Sequence, residues 1–411
     1  MASFLPFWLF LTIFRFGGVI HYSLLAPLGE KLLPLWIVGL LIGASSIVQL
    51  LLDVPVGYLM DKKGYRLFLK LAAIIFIFAA ACLLFGLNIT AYIASIAIAT
   101  FSWLFFGPAL NAYILSHAPK EKAGRFISLR DVFGAAGVVL ASAALPFIFI
   151  FTIEDIGLLL FLIFGLSLAM IFFSPKDIAS IQKQEKKLPT QNYHIKRNFL
   201  SKTIKAIKKL NPASGMLLLS GMSGSIFYGI IWFVVPLVIA NQADSGLLGI
   251  GLGIFDLAIV ALGFFLGRLA DKADKRQLIF FGLLIFSVAG LLLGFNFGWL
   301  FLIFGFLATT GDEMAGLSLW SWLHALDKDH DQDGTVSSVI NLFQDLGWAI
   351  GPIAAGLLYP LIGPSWTIVI GALPILATCL FYQSFMSKKH FNLLPNFASL
   401  PAKPHRPRHK T

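Results

Sequence analysis

The sequence predicts an all-α polytopic membrane protein with twelve transmembrane helices in two six-helix repeats. Three observations predict it. The 411 residues are 58% hydrophobic and 12% charged, whereas soluble domains carry about 25% charged residues. The apolar residues fall in long runs, and one membrane crossing takes about 20 of them. A face of glycines and one aspartate recurs in the second half at a fixed offset. A mean hydropathy of +0.85 and 37 Gly agree, since glycine is commoner in membrane helices than in soluble ones.

The apolar runs place the spans at 4–26, 33–58, 67–87, 91–116, 127–150, 156–174, 213–240, 246–268, 277–296, 298–323, 336–360 and 364–386. The opening MASFLPFWLF has no basic region and no small-residue cleavage site, so it begins the first helix rather than a removable signal. Connections are short except for 175–212, which is polar, basic and broken by Pro189 and Pro212. It separates an N-terminal six-helix bundle, 1–174, from a C-terminal one, 213–386. In it Phe199, Ile204, Ile207 and Leu210 alternate with Lys202, Lys205, Lys208 and Lys209. That pattern predicts a short amphipathic basic helix on the membrane surface. The tail, 387–411, is basic and Pro-rich and is expected to be disordered.

A net charge of +11 would suggest nucleic acid in a soluble protein. Here the Lys and Arg bunch between apolar runs, so topology accounts for them and no nucleic-acid partner is implied. Lys62, Lys63, Arg66, Lys120, Arg125, Arg268, Lys272 and Arg276 fall on one side with the linker and tail. The other side carries Glu30, Lys31, Glu154, Asp155 and Asp244. The positive-inside rule then puts both termini in the cytoplasm, in a cell membrane. Cys82 and Cys379 sit in apolar runs and offer neither a disulfide framework nor metal spacing.

In span 2, Gly39, Gly43, Ser46, Leu50, Asp53 and Gly57 share one helical face. In span 8, Gly249, Gly253, Asp256, Val260, Gly263 and Gly267 repeat it, each 210 positions later. Leu59, Asp61 and Lys62 continue the register into Leu269, Asp271 and Lys272. Glycine stripes are common where membrane helices pack, but a shared offset over so many positions is the mark of an internal repeat. Parallel repeats of this kind are a transporter architecture.

The connection after span 2 reads Gly57-Tyr-Leu-Met-Asp61-Lys62-Lys-Gly64-Tyr-Arg66. It resembles the G-x-L-x-D-[RK]-x-G-[RK]-[RK] signature of the major facilitator superfamily, with Asp53-Val-Pro55-Val-Gly57 as its acidic lead-in. The copy after span 8, Gly267 to Arg276, is degraded, with Asp274 where Gly is usual. The resemblance covers nearly the whole chain. It implies a latch on the cytoplasmic side: Gly57 permits a close approach, and Asp61 accepts from the N-terminus of helix 11. Lys62 and Arg66 hold the connection beside Asp61 and the lipid headgroups. Two departures bear on direction. Trp103 stands where proton antiporters of the family commonly carry Arg, and span 5 lacks their Gly-Pro ending.

A charge at the membrane midplane costs about 2.5–3.5 kcal/mol on insertion scales, so it should be paired or face water. Such charges occur in spans 1 (Arg15), 2 (Asp53), 5 (Asp131), 8 (Asp256), 10 (Asp312, Glu313) and 11 (Asp345). The apolar cores of spans 3, 6, 9 and 12 hold none, which agrees with the lipid-facing place the resemblance implies for them. Arg15, Asp256, Asp312, Glu313 and Asp345 are the candidate substrate and proton pathway. Asp53 and Asp131 lie nearer the cytoplasmic ends and are expected at a gate with Gly57, Asp61, Lys62, Gly64, Arg66, Gly267, Asp271 and Lys272. Family geometry implies that Arg15 approaches Asp312 or Glu313 across the cavity in a state-dependent way.

Asp329 to Gly334 matches the first half of an EF-hand loop, but Ile340 stands where its bidentate Glu belongs. A solvated acidic turn is the better reading. His21, His117, His194 and His324 lack metal-ligand spacing, and no P-loop, nucleophile elbow or dinucleotide fingerprint occurs. The expectation is therefore a monomeric carrier, not an enzyme, that needs no metal or other cofactor. It moves a small solute by alternating access, foremost as proton-coupled drug or metabolite efflux. The alternative is uptake of a small organic solute by symport or uniport, for which Arg15 would suit an anion.

Overall fold

The computed structural model describes residues 4–117, 123–175, 212–241, 246–295, 298–326 and 333–387. The described residues are helical nearly throughout. The helices are α1 (Leu5–Glu30), α2 (Leu35–Lys63), α3 (Tyr65–Leu83), α4 (Ile89–His117), α5 (Ala123–Ile148) and α6 (Ile153–Phe173). They continue as α7 (Pro212–Asn241), α8 (Gly246–Lys272), α9 (Lys275–Leu293), α10 (Trp299–Leu326) and α11 (Asp333–Ser387). Ten segments of the described residues are long and apolar enough to cross a membrane, and Leu248–Gly263 is a shorter apolar stretch. Helices are the form in which a chain in lipid satisfies its own backbone. The amphipathic linker, the Asp329–Asp333 turn and the tail lie outside the described residues, apart from Asp333 at the start of α11.

The boundaries follow from local chemistry. Asn88 caps α4 through its side chain, which accepts from Ala91 N–H at 2.8 Å. Thr152 caps α6, accepting from Asp155 N–H at 3.2 Å, and its hydroxyl donates back to the Asp155 carboxylate at 2.7 Å. Such caps satisfy donors that a helix start leaves open. Gly64, at φ 95°, ends α2 and starts α3. α11 breaks at Gly363 (φ 74°, ψ 176°), between Pro360 and Pro364. Pro364 disfavours helical geometry at the residue before it, and glycine accepts the positive φ that results.

The signature differs from the sequence expectation. α2 runs on to Lys63 and α8 to Lys272, so Asp61, Lys62 and Asp271 sit on helices rather than in loops. Gly64 explains this for α2, because it takes the positive φ at which the helix ends, whereas Gly57 stays helical. Asp274, the residue that degrades the second copy, caps α9 by accepting from Arg276 N–H at 3.0 Å.

Phenylalanine fills the interior of each half. Phe14 stacks on Phe106 (4.0 Å between ring centres) and Phe76 on Phe164 (4.1 Å). Phe227, Tyr228 and Phe286 form the counterpart in the second half. The opposite faces are apolar and exposed, as at Leu162 (59%) and Phe173 (73%) on α6. Lipid, not water, is the partner such faces suit. His21 is buried and bonded to Ser95 at 2.8 Å, and Ser95 donates to Ala79 O at 2.9 Å. That histidine ties α1 to α4 and α3.

Candidate functional site

The halves meet at one end of the bundle. On α2, a side chain at Gly39 would strike the Pro352 carbonyl of α11, and one at Gly43 the Ala349 carbonyl. On α8, Gly249 and Gly253 lie against Ser142, Pro146 and Val139 of α5. The missing side chains let these backbones approach. At the same end Asn241 of α7 donates to the Glu30 carboxylate of α1 at 3.1 Å. Further along the same faces, a Cβ at Gly57, Gly263 or Gly267 would meet nothing within 4 Å among the described residues. Among the described residues, the halves are thus in contact at the Glu30 end, and the faces toward Lys62 show no such contact.

Among the described residues, the close approaches of this face fall at Gly43 and Gly39, roughly four to five turns from Gly57. Tyr65 donates to the Asp61 carboxylate at 2.8 Å. Arg66, expected to hold the connection beside Asp61 and the headgroups, donates to the Ile171 carbonyl at 3.1 and 3.2 Å and to Phe172 O at 2.5 Å. It caps the C-terminal end of α6, where the last carbonyls lack partners and a cation is favoured. The side chains of Asp271 and Lys272 are outside the described ones.

Between the halves lies a cavity of about 800 Å³. α1 contributes Arg15 and Tyr22, α2 Ser46 and Gln49, α4 Trp103 and Asn111, and α5 Arg130 and Asp131. From the other half come Tyr228 and Trp232, Asp256, Asp312 and Glu313, and Asp345 and Trp348. All five residues expected on the pathway, Arg15, Asp256, Asp312, Glu313 and Asp345, line it. The helical periodicity that put Asp256 on a glycine face also turns it inward, because that face is the one packed against the other half.

Two placements differ from expectation. Asp131, expected at a gate, lines the cavity and pairs with Arg130 at 2.7 Å. Arg130 also donates to the Asn111 side chain of α4 at 2.6 Å. Arg15 stands over the Trp103 ring, 5.9 Å from its centre. The carboxylate whose charge acts on it most is Asp256 of α8, followed among carboxylates by Asp131; Asp312 and Glu313 are not its partners here. Asp53 is half-buried and its charge acts on Asp345 across the α2–α11 boundary.

Arg130 was not singled out by the sequence. It falls just inside span 5, where a cation is easily counted with the positive-inside charges. The adjacent Asp131 was the available signal. Tyr228 was missed as well: it lines the cavity beside Asp312, a relation between α7 and α10 that no local pattern encodes.

The matched family model is that of the Major Facilitator Superfamily, over residues 1–142 and 217–399. No curated protein matches the chain significantly. Among solved structures, the human organic anion transporter TETRAN is 17% identical with a TM-score of 0.62, covering 92% of this chain and 98% of that one. A bacterial homologue of the human lysosomal transporter Spinster, inward-facing and occupied, is 14% identical with a TM-score of 0.67 and coverages of 92% and 95%. The nucleoside transporter NupG is 13% identical with a TM-score of 0.66, covering 95% and 100%. At such identities these likenesses speak for the fold. The match to the family model runs through both halves, on either side of the cavity they enclose, and the chain belongs to the Major Facilitator Superfamily.

Proposed function

We propose that this multi-pass membrane protein moves a small solute by alternating access, with proton entry driving drug or metabolite efflux. The observation that carries the reading is the charged cavity between two halves that touch at one end and part at the other. Twelve spans in two six-helix bundles, 1–174 and 213–386, would enclose it, with 175–212 as the linker. The chain acts as a monomeric carrier in the cell membrane, without a catalytic step.

With termini, linker and tail cytoplasmic, the parted end faces the cytoplasm. The inward-facing state of the Spinster homologue fits this reading. Asp61 and its neighbours are the cytoplasmic latch, which opens and closes as the halves rock. Asp256, Asp312, Glu313 and Asp345 are the proton-bearing groups. Enclosure disfavours a carboxylate's charge and a facing guanidinium favours it. Rocking changes both, so proton binding is tied to the state of the carrier.

Uptake of a small, anionic organic solute by symport or uniport is the second reading, and it rests on Arg15 at the centre of the cavity. Proteoliposomes holding the purified protein test both. Solute-dependent proton flux is expected, with the direction of exchange separating efflux from uptake. Complete absence of solute-dependent flux across a broad panel would point to a sensor on the same fold.

A further inference from the structure

We propose that the C-terminal half holds a binding site for the head group of an organic cation, formed by Asp312, Asp345, Tyr228 and Trp348. A side cavity of about 260 Å³ opens among these residues. All four also line the central cavity, so the two spaces adjoin. Two glycines of α7 create the hollow. A Cβ at Gly224 would stand 3.5 Å from the Asp312 carboxylate, and one at Gly221 would stand 3.3 Å from Gln344 Cγ.

Charge decides the class of ligand. The cavity walls carry two guanidiniums, Arg15 and Arg130, and five carboxylates. Both guanidiniums belong to the N-terminal half and are already engaged. Arg130 is ion-paired with Asp131, and Arg15 lies over Trp103 under the charge of Asp256. Asp312 and Asp345 have no ion pair within 4 Å among the described residues. An enclosed carboxylate without a counter-charge is costly, and a bound cation offsets that cost.

The rings narrow the class further. Faces of Trp and Tyr attract ammonium groups, and this mode serves quaternary ammonium ligands in particular. A bare divalent metal ion would instead want six or more oxygen ligands, and rings occupy part of this wall. The body of the solute would lie in the central cavity against Trp232 and Phe255. That space falls in the range of about 300–1,000 Å³ typical of small-molecule sites.

The site deepens the transport reading and rests on it only for the route the solute takes. Equilibrium binding to the full-length protein in detergent tests it by calorimetry. The probe is benzyltrimethylammonium, with benzoate as an anion of similar size. The ammonium should bind and benzoate should not. Asp312→Asn and Asp345→Asn should each weaken binding by about tenfold or more. Gly224→Val, which fills the hollow and removes no charge, should do the same. Glu154→Gln, outside the cavity, should bind as the unaltered protein does. Unfolding midpoints without ligand identify any variant that fails to fold, and Gly224→Val and Asp312→Glu then carry the test. Asp312→Glu should retain binding that Asp312→Asn loses. Binding of benzoate alone, or unaltered ammonium affinity in folded Asn variants, overturns the proposal. Ammonium binding without flux in proteoliposomes would sink the transport reading and leave the site standing.

Discussion

Arg15 shows how one residue is fixed by its depth in the membrane. It lies mid-span, too far for its side chain to reach either surface. The fold gives it an aromatic face, Trp103, and the charge of a carboxylate, Asp256, from the opposite half. Arg15→Lys keeps the charge but loses the planar group that lies over the ring. It should insert normally and transport at about a tenth of the rate or less, a loss of roughly 1.4 kcal/mol in transition-state terms. Arg15→Leu should express well and be inactive. Transport at the original rate in Arg15→Leu would reduce the residue to a buried strut.

The carboxylates give a second expectation at this scale. Asp256→Asn and Asp312→Asn each remove a charge from the cavity without changing its volume. At least one should lose pH-driven transport by about tenfold or more while the protein still folds. Solute-driven exchange, measured without a proton gradient, separates lost coupling from lost transport. Full pH-driven transport in both variants would remove these groups from the mechanism.

At the scale of the helix, the glycines of α2 and α8 act at one end of each helix. Gly39 and Gly43 let α2 meet α11 backbone to backbone, whereas a Cβ at Gly57 on the same face would meet nothing within 4 Å among the described residues. Gly39→Leu should exclude the state closed at the Glu30 end, since the Pro352 carbonyl cannot give way as a side chain could. The expected signature is higher accessibility of a cysteine placed at Ser46, with at least a tenfold loss of cycling. A change of about 1.4 kcal/mol between states already shifts their ratio tenfold. Accessibility equal to that of the unaltered protein would show that the α2–α11 crossing does not hold the state.

The two copies of the signature should be unequal for the same kind of reason. Asp61 ends a helix that Gly64 terminates, while the second copy spends its Asp274 on capping α9. Asp61→Asn should impair transport far more than expression, and Asp271→Asn should do less. Equal losses at both would make the two ends equivalent struts.

For the whole molecule, the prediction concerns sidedness. The Lys and Arg asymmetry predicts that the termini and 175–212 lie inside. Cysteines at Ser180 and Ser399 should resist labelling from outside intact cells and react after permeabilisation. Efficient outside labelling at either would reverse the orientation, and with it the direction in which the cavity opens.

The sequence alone determined that this chain crosses a membrane many times, and it set the expectation that its halves repeat. Both follow from short-range rules: the length of an apolar run, the cost of a buried charge and the 3.6-residue period that groups Gly39, Gly43 and Asp53. The same rules marked Arg15, Asp256 and Asp312, because a charge in a lipid-length helix has few tolerable places. What the tertiary structure decided is which charges meet. Arg130 with Asn111 joins two neighbouring helices, and Asp256 near Arg15 and Tyr228 beside Asp312 are relations between helices far apart in the chain. The tertiary structure also decided which end is closed. The α2 and α8 faces read alike along their length, and the packing of α2 on α11 and of α8 on α5 selects the glycines that touch.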